Sequence, residues 1–236
     1  MRDYTCVDIE TTGVSPSWCQ IIEIGALKVR DGEVVDTFSQ LIDPGVSVPA
    51  EITSLTGITT EMVKGQPSIA IVLPEFVDFA EDDLLLGHNV RFDYSFLKQN
   101  AMDLDLEFSK SGMDTLRIAR AKCPELESRS LDFLCEHFCI NDENHHRAYN
   151  DAKVTHELYM MFYDIFRNDN PELFQPKEFI YKPKKSAPIT LKQKKYLLAL
   201  ISYHNIDIDY DIDALSKSEA SRKIDQIIST KGKIIR

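Results

Sequence analysis

The stretch Asp8-Ile9-Glu10-Thr11-Thr12-Gly13 constrains this chain more than any other. It follows the apolar run Tyr4-Thr5-Cys6-Val7 and reads as the end of a strand entering a tight turn. Residues two apart on a strand face the same way, so Asp8 and Glu10 project together, opposite Ile9. Two adjacent carboxylates near a sheet centre repel each other and are costly to desolvate. A fold tolerates the pair when a hard divalent cation sits between the oxygens. It also tolerates the pair when one side chain stays in water and the other caps a helix. These six residues leave both readings open.

The chain has 236 residues, which suits one ordinary domain plus a smaller one. No apolar run approaches the roughly 18 residues of a membrane span. Met1-Arg2-Asp3 opens no secretory signal. The five cysteines are odd in number and lack framework spacing, so free thiols in a reducing, cytoplasmic setting are expected. Charge is uneven. Residues 1–174 hold 14 Lys and Arg against 31 Asp and Glu, a net −17, whereas residues 175–236 hold 13 against 7, a net +6. An acidic body is a poor non-specific binder of nucleic acid; the basic tail either supplies what the body lacks or is the solvated face of a helical appendage.

Gln20 to Val29 reads as a strand, Asp31-Gly32 as a hairpin turn and Val34 to Ile42 as the returning strand. Short helical pieces lie around Glu51–Leu55 and Thr60–Val63, and a longer helix spans Ser68–Phe79. Leu84–Gly87 is a short apolar run suited to a buried parallel strand, and a helix follows His88-Asn89-Val90-Arg91-Phe92-Asp93. Further helices are expected from Met113-Asp114-Thr115, over Leu131–Phe138 and over Asn150–Phe166. Strands alternating with helices after a meander imply an α/β sheet of mixed direction. Residues 169–188, with four prolines and little periodicity, read as a linker. Thr190-Leu191-Lys192-Gln193 and Ser216-Lys217-Ser218-Glu219 have capping-box form and open two helices of a small module, residues 189–236. Between these helices Ile206 to Asp213 alternates as an extended or half-buried strand would. Its aspartates lack the Gly and Glu of a calcium loop.

Asp93, Asp151 and His146 extend the opening pair. Asp93 lies at a strand-to-helix junction and Asp151 in the first turn of a helix, where an N-terminus favours negative charge. Five residues on one helix differ by about 140° in direction, so His146 can join Asp151 only from the preceding loop. Four carboxylates suit two divalent metals, and a histidine suits proton removal from an attacking water. Chemistry of this kind cleaves phosphodiesters.

Asp-Ile-Glu-Thr-Thr-Gly, His-Asn-Val-Arg-Phe-Asp and His-Arg-Ala-Tyr-Asn-Asp resemble, in order and separation, the three motifs of the DEDDh 3′–5′ exonucleases. The pattern is similar to the epsilon proofreading subunit of bacterial DNA polymerase III and to the exonuclease domain of Gram-positive replicative polymerases, over residues 1–168. The resemblance implies an RNase H-like α/β fold, a mixed five-stranded sheet flanked by helices. It implies two Mg2+ or Mn2+ ions, Asp8 between them, Glu10 beside, Asp151 on the water-activating ion, Asp93 supporting the other and His146 as general base. It implies that Thr11, Thr12 and Gly13 contact the terminal nucleotide, with Leu55, Thr56 and Phe92 near its sugar and base; core packing is the other reading of Leu55 and Phe92. The expected partner is single-stranded or mismatched DNA at its 3′ end, and a DNA polymerase, with no membrane. An exoribonuclease is the second reading, and a catalytically silent polymerase- or nucleic-acid-binding module the third, disfavoured because no carboxylate or histidine of the set is missing.

Smaller readings accompany these. His145 is a neighbour that could be confused with His146 in register. His88 and Asn89 shape the turn before Asp93. Asp114 either supports the site or caps a helix. Cys135, Cys139, His145 and His146 fit no usual zinc spacing, and the two cysteines lie one helical turn apart among apolar residues.

Overall fold

Both opening acids lie on β1 (Tyr4–Thr11), the central strand of the first of two compact units. The computed structural model describes residues 2–141, 146–183, 188–208 and 210–234. Asp31 and Gly32 both take positive φ, 52° and 86°, as a two-residue hairpin turn requires. They join β2 (Ile21–Arg30) to β3 (Glu33–Leu41). β1 pairs antiparallel with β2, placing Gly25 opposite Asp8 and Glu23 opposite Glu10. On its other side β1 runs parallel to β4 (Leu85–Gly87), which runs parallel to β5 (Ser111–Asp114). The sheet order is β3-β2-β1-β4-β5-β6.

Alternation along the strands divides the core. Val7, Ile9, Ile24 and Ala26 pack with α3 (Ile69–Ala80) and α4 (Arg91–Asp103). Tyr4, Cys6, Leu27 and Val29 pack on the opposite face with α5 (Thr115–Lys122), α6 (Leu131–His137) and α7 (Ala148–Phe166). Asp8, Glu10, Glu23 and Gly25 share the period of the second set, so they face α7. α1 (Ala50–Thr56) and α2 (Thr60–Val63) precede α3, and around them Ile22, Val48, Ile58 and Val63 form a small satellite core.

Two elements depart from the sequence reading. Ser111–Asp114 is a strand before it is a helix start, too short to show a period. Gly112 is needed there, because a Cβ would lie 1.8 Å from the Leu85 carbonyl oxygen. The segment read as a linker also packs onto the first unit. A 3-10 turn, Pro171–Phe174, precedes the two-residue strand β6 (Lys177–Glu178), which makes the sheet six-stranded rather than five. Buried Phe174 and Phe179 supply the apolar area that the prolines obscured; the first unit runs on to Pro183, and the second takes the rest of the chain together with Gly45–Ser47.

The second unit has its own core. α8 (Leu191–His204) and α9 (Lys217–Lys231) open with complete capping boxes and bury Leu197, Leu200, Ala220 and Ile224 against each other. The described residues of the alternating stretch between them form no strand. Ile212–Ala214 is a 3-10 turn that Asp211 caps, and Asp213 pairs with Lys194. Asp209, one of the aspartates considered for calcium, lies outside the described residues, as does His145.

Candidate active site

The C-terminal end of β1 meets the N-termini of two helices. Asp8, Glu10 and Asp151 each place one carboxylate oxygen within 4.8 Å of the others. Asp151 reaches them from the first turn of α7. Asp93, in the first turn of α4, is 3 % exposed, and its Oδ1 accepts the Ile9 N–H at 3.1 Å. Three acids from β1 and α7 thus share one set of oxygens, and Asp93, from α4, stands outside that set but bonds to β1 and adds its charge to Asp8.

Burial pushes the Asp8 carboxyl well above the ordinary range, reinforced by the charges of Asp93, Asp151, Glu10 and Glu23. Glu10 is raised to about 8 by burial, then by Asp151, Glu23 and Asp93, against a lowering from Arg147. Asp93 is raised by burial, offset in part by the N–H groups of its own residue and Ile9. Carboxylates gathered at such cost form a hard-oxygen donor set of the kind divalent cations take. The donor chemistry therefore fits the expected Mg2+ or Mn2+.

A second layer holds α7 in place, and the sequence reading missed it. Glu23, 1 % exposed, receives Arg147 Nη2 at 2.6 Å and Nε at 3.1 and 3.2 Å. It also accepts the Ala148 N–H at 3.1 Å, so a strand carboxylate caps the helix that carries Asp151. Next to it, a Cβ on Gly25 would lie 2.1 Å from the Tyr149 nitrogen. Only glycine lets the helix start press onto β2 opposite Asp8. The available signal was a charged residue inside the apolar run Ile21-Ile22-Glu23-Ile24-Gly25.

His146 lies on the loop before α7, as its spacing from Asp151 requires, with φ at 60°. Its Nε2 is 3.7 Å from Oδ2 of Asp132, at the start of α6, a partner absent from the sequence reading. His88 bridges Thr115 Oγ1 through Nδ1 and the Arg129 carbonyl through Nε2, each at 2.9 Å. Burial lowers its basicity, and its two bonds tie together the ends of β4, α5 and the α6 approach. Asp114 caps α5 through Leu116 N–H and accepts the Asn89 N–H, both at 2.9 Å, and its charge also reaches Asp93.

The expected substrate contacts are placed variously. Thr11 Oγ1 donates to the Gly13 carbonyl at 2.7 Å, and Thr12 Oγ1 accepts from Gln20 N–H at 2.9 Å, shaping the loop after β1. Leu55 is 54 % exposed, whereas Thr56 is buried and bonded to Ile52 O and Ile58 N. Phe92 packs on Phe96 at 5.0 Å between ring centroids and borders the core. Cys135 is buried in α6, and all five cysteines are free thiols. Among the described residues neither cysteine joins a metal-competent cluster.

The exonuclease family model matches residues 5–159. A PolC-type DNA polymerase III from Clostridium perfringens is 47 % identical over 156 residues, covering 66 % of this chain and 11 % of that protein. The PolC-type polymerase of Thermotoga maritima is 35 % identical over 229 residues, covering 92 % of this chain and 16 % of its own. The chain thus spans under a fifth of the length of these relatives. A solved structure of Exonuclease X in complex with 5′ overhanging duplex DNA superimposes with a TM-score of 0.56 at 25 % identity, covering 69 % of this chain and 92 % of that one. The chain belongs to the exonuclease family, and its three motifs place it among the DEDDh 3′–5′ enzymes.

Proposed function

We propose that this 3′–5′ exonuclease is metal-dependent and acts on unpaired or mismatched 3′ ends of DNA, releasing 5′-mononucleotides. The observation that carries the reading is the triplet of carboxylate oxygens from Asp8, Glu10 and Asp151 within 4.8 Å, with Asp93 beside it. Two Mg2+ or Mn2+ ions would be held by Asp8, Glu10 and Asp151, with Asp93 in support. A divalent cation bound there supplies Lewis-acid activation of water and neutralises charge at the phosphate. His146 takes the proton of the attacking water, and Asp132, 3.7 Å away, orients its ring. Glu23 and Arg147 keep the base-bearing loop and Asp151 in register with β1. The PolC-type relatives support DNA as the substrate and a polymerase as the setting.

The test is digestion of end-labelled single-stranded DNA, mismatched duplex and RNA, with Mg2+ or with excess chelator. DNA should shorten from its 3′ end only with metal, and Asp8→Ala should abolish release. Activity that survives chelation, or a preference for RNA, would overturn the reading.

A further inference from the structure

We propose that Trp18, flanked by Val14, is a stacking platform for unpaired bases of the strand whose 3′ end enters the carboxylate cluster. This rests on the nuclease reading above and adds where the strand is gripped. The loop of residues 12–20 leaves β1 two residues after Glu10 and returns as β2, so it starts at the end of the strand that bears the cluster. It is firmly built. Thr12 N–H donates to Gln20 O at 2.8 Å, and the Trp18 and Cys19 N–H groups donate to Ser15 O at 3.0 and 2.8 Å. Ser17 hydrogen-bonds to Tyr181, which donates to Gln99 at 3.1 Å.

Yet this ordered loop turns its large apolar side chains outward. Trp18 is 51 % exposed and Val14 85 %. A single exposed apolar residue is ordinary, but tryptophan usually buries its large ring. The electrostatics make the choice of ring meaningful. Residues 1–174 carry a net −17, which repels a polyanion, so the first unit needs a source of affinity other than phosphate pairing. Base–aromatic stacking is such a source. It works regardless of charge and sequence, because every base has a π face. A base must be unpaired to stack there, which favours single-stranded and mismatched ends.

Trp18 is the only tryptophan, so protein fluorescence excited at the indole reports on this position alone. The experiment titrates (dT)12 into the Asp8→Ala protein with Mg2+ and follows that emission. In parallel, wild type, W18A, W18F and W18L are assayed on (dT)12 and on the p-nitrophenyl ester of thymidine 5′-phosphate. Stacking should quench the emission. Its loss in W18A should raise the ratio of KM for (dT)12 to KM for the ester by at least about fivefold. W18F should restore the ratio and W18L, of similar bulk but no π face, should not. Absence of quenching with an unchanged KM ratio would overturn the platform while leaving the nuclease reading standing. If wild type hydrolyses neither substrate, the nuclease reading fails. The quenching titration then decides the platform alone, saturable quenching sustaining it and none overturning it.

Discussion

Glu23 works harder than any residue outside the cluster. It is buried, it accepts from Nε and Nη2 along one edge of the Arg147 guanidinium and it caps the helix that bears Asp151. Truncating one partner of a buried charged pair leaves the other unpaired. Glu23→Ala should therefore destabilise the protein by about 1–3 kcal/mol in urea unfolding, the lower range because Arg147 is partly exposed. It should also lower turnover, since the helix start loses its anchor. Arg147→Lys, which cannot reproduce the fork, should show the same direction more weakly. Gly25→Ala is a sharper change, because its Cβ has backbone on top of it. Melting that stays at the wild-type temperature would refute the close approach.

The Glu10 carboxyl links stability to pH through the same crowding. Its folded pKa of about 8 lies above the 4.5 of a free glutamate. The folded state thus holds this proton more tightly than the unfolded one. Its contribution is fully present below about pH 4.5 and is lost as pH rises through 8. A divalent ion held by these carboxylates would replace the proton as the neutralising charge. The melting-temperature gap between Mn2+ and chelator should widen from pH 5 to pH 8.5. A gap that stays constant would mean the carboxylates do not bind the ion as a group.

At the scale of elements, the meander, the long helices and both capping boxes were legible from turn chemistry, period and caps. The acids were legible because a strand period of two puts Asp8 and Glu10 side by side, and helix geometry puts His146 on a loop. What was not legible depended on contacts far apart in sequence. Glu23 reads as an odd charge in a strand until α7, over 120 residues later, arrives at it. β5 is too short to carry a period, and the 169–183 segment hides its docking residues between prolines. Phe179 is the test of that segment. It is 7 % exposed and packs on Tyr94 at 5.3 Å between ring centroids. Phe179→Ala should release β6 from the sheet edge, costing up to about 3–5 kcal/mol if the segment cannot collapse onto the gap. Limited proteolysis should then cut between residues 171 and 183 faster than in wild type; an unchanged cleavage pattern would show that the edge holds without this ring.

At the scale of the whole molecule, charge and chemistry are separated along the chain. The acids that would hold cations lie in the unit with a large negative excess, while residues 175–236 carry the positive excess. The second unit has a core of its own, with Leu197 and Leu200 fully buried, so its removal should leave residues 1–183 folded. Long single-stranded DNA meets both charge regimes, whereas a nucleotide ester meets only the catalytic cluster. Deleting residues 187–236 should therefore weaken binding of long single strands and flatten the fall of log affinity with log salt, because fewer counterions are released. Hydrolysis of the p-nitrophenyl ester should persist in the truncated protein. Equal affinity and equal salt slope in the two forms would mean that the basic residues are solvated surface, and that the first unit holds the strand through stacking and its bound cations alone.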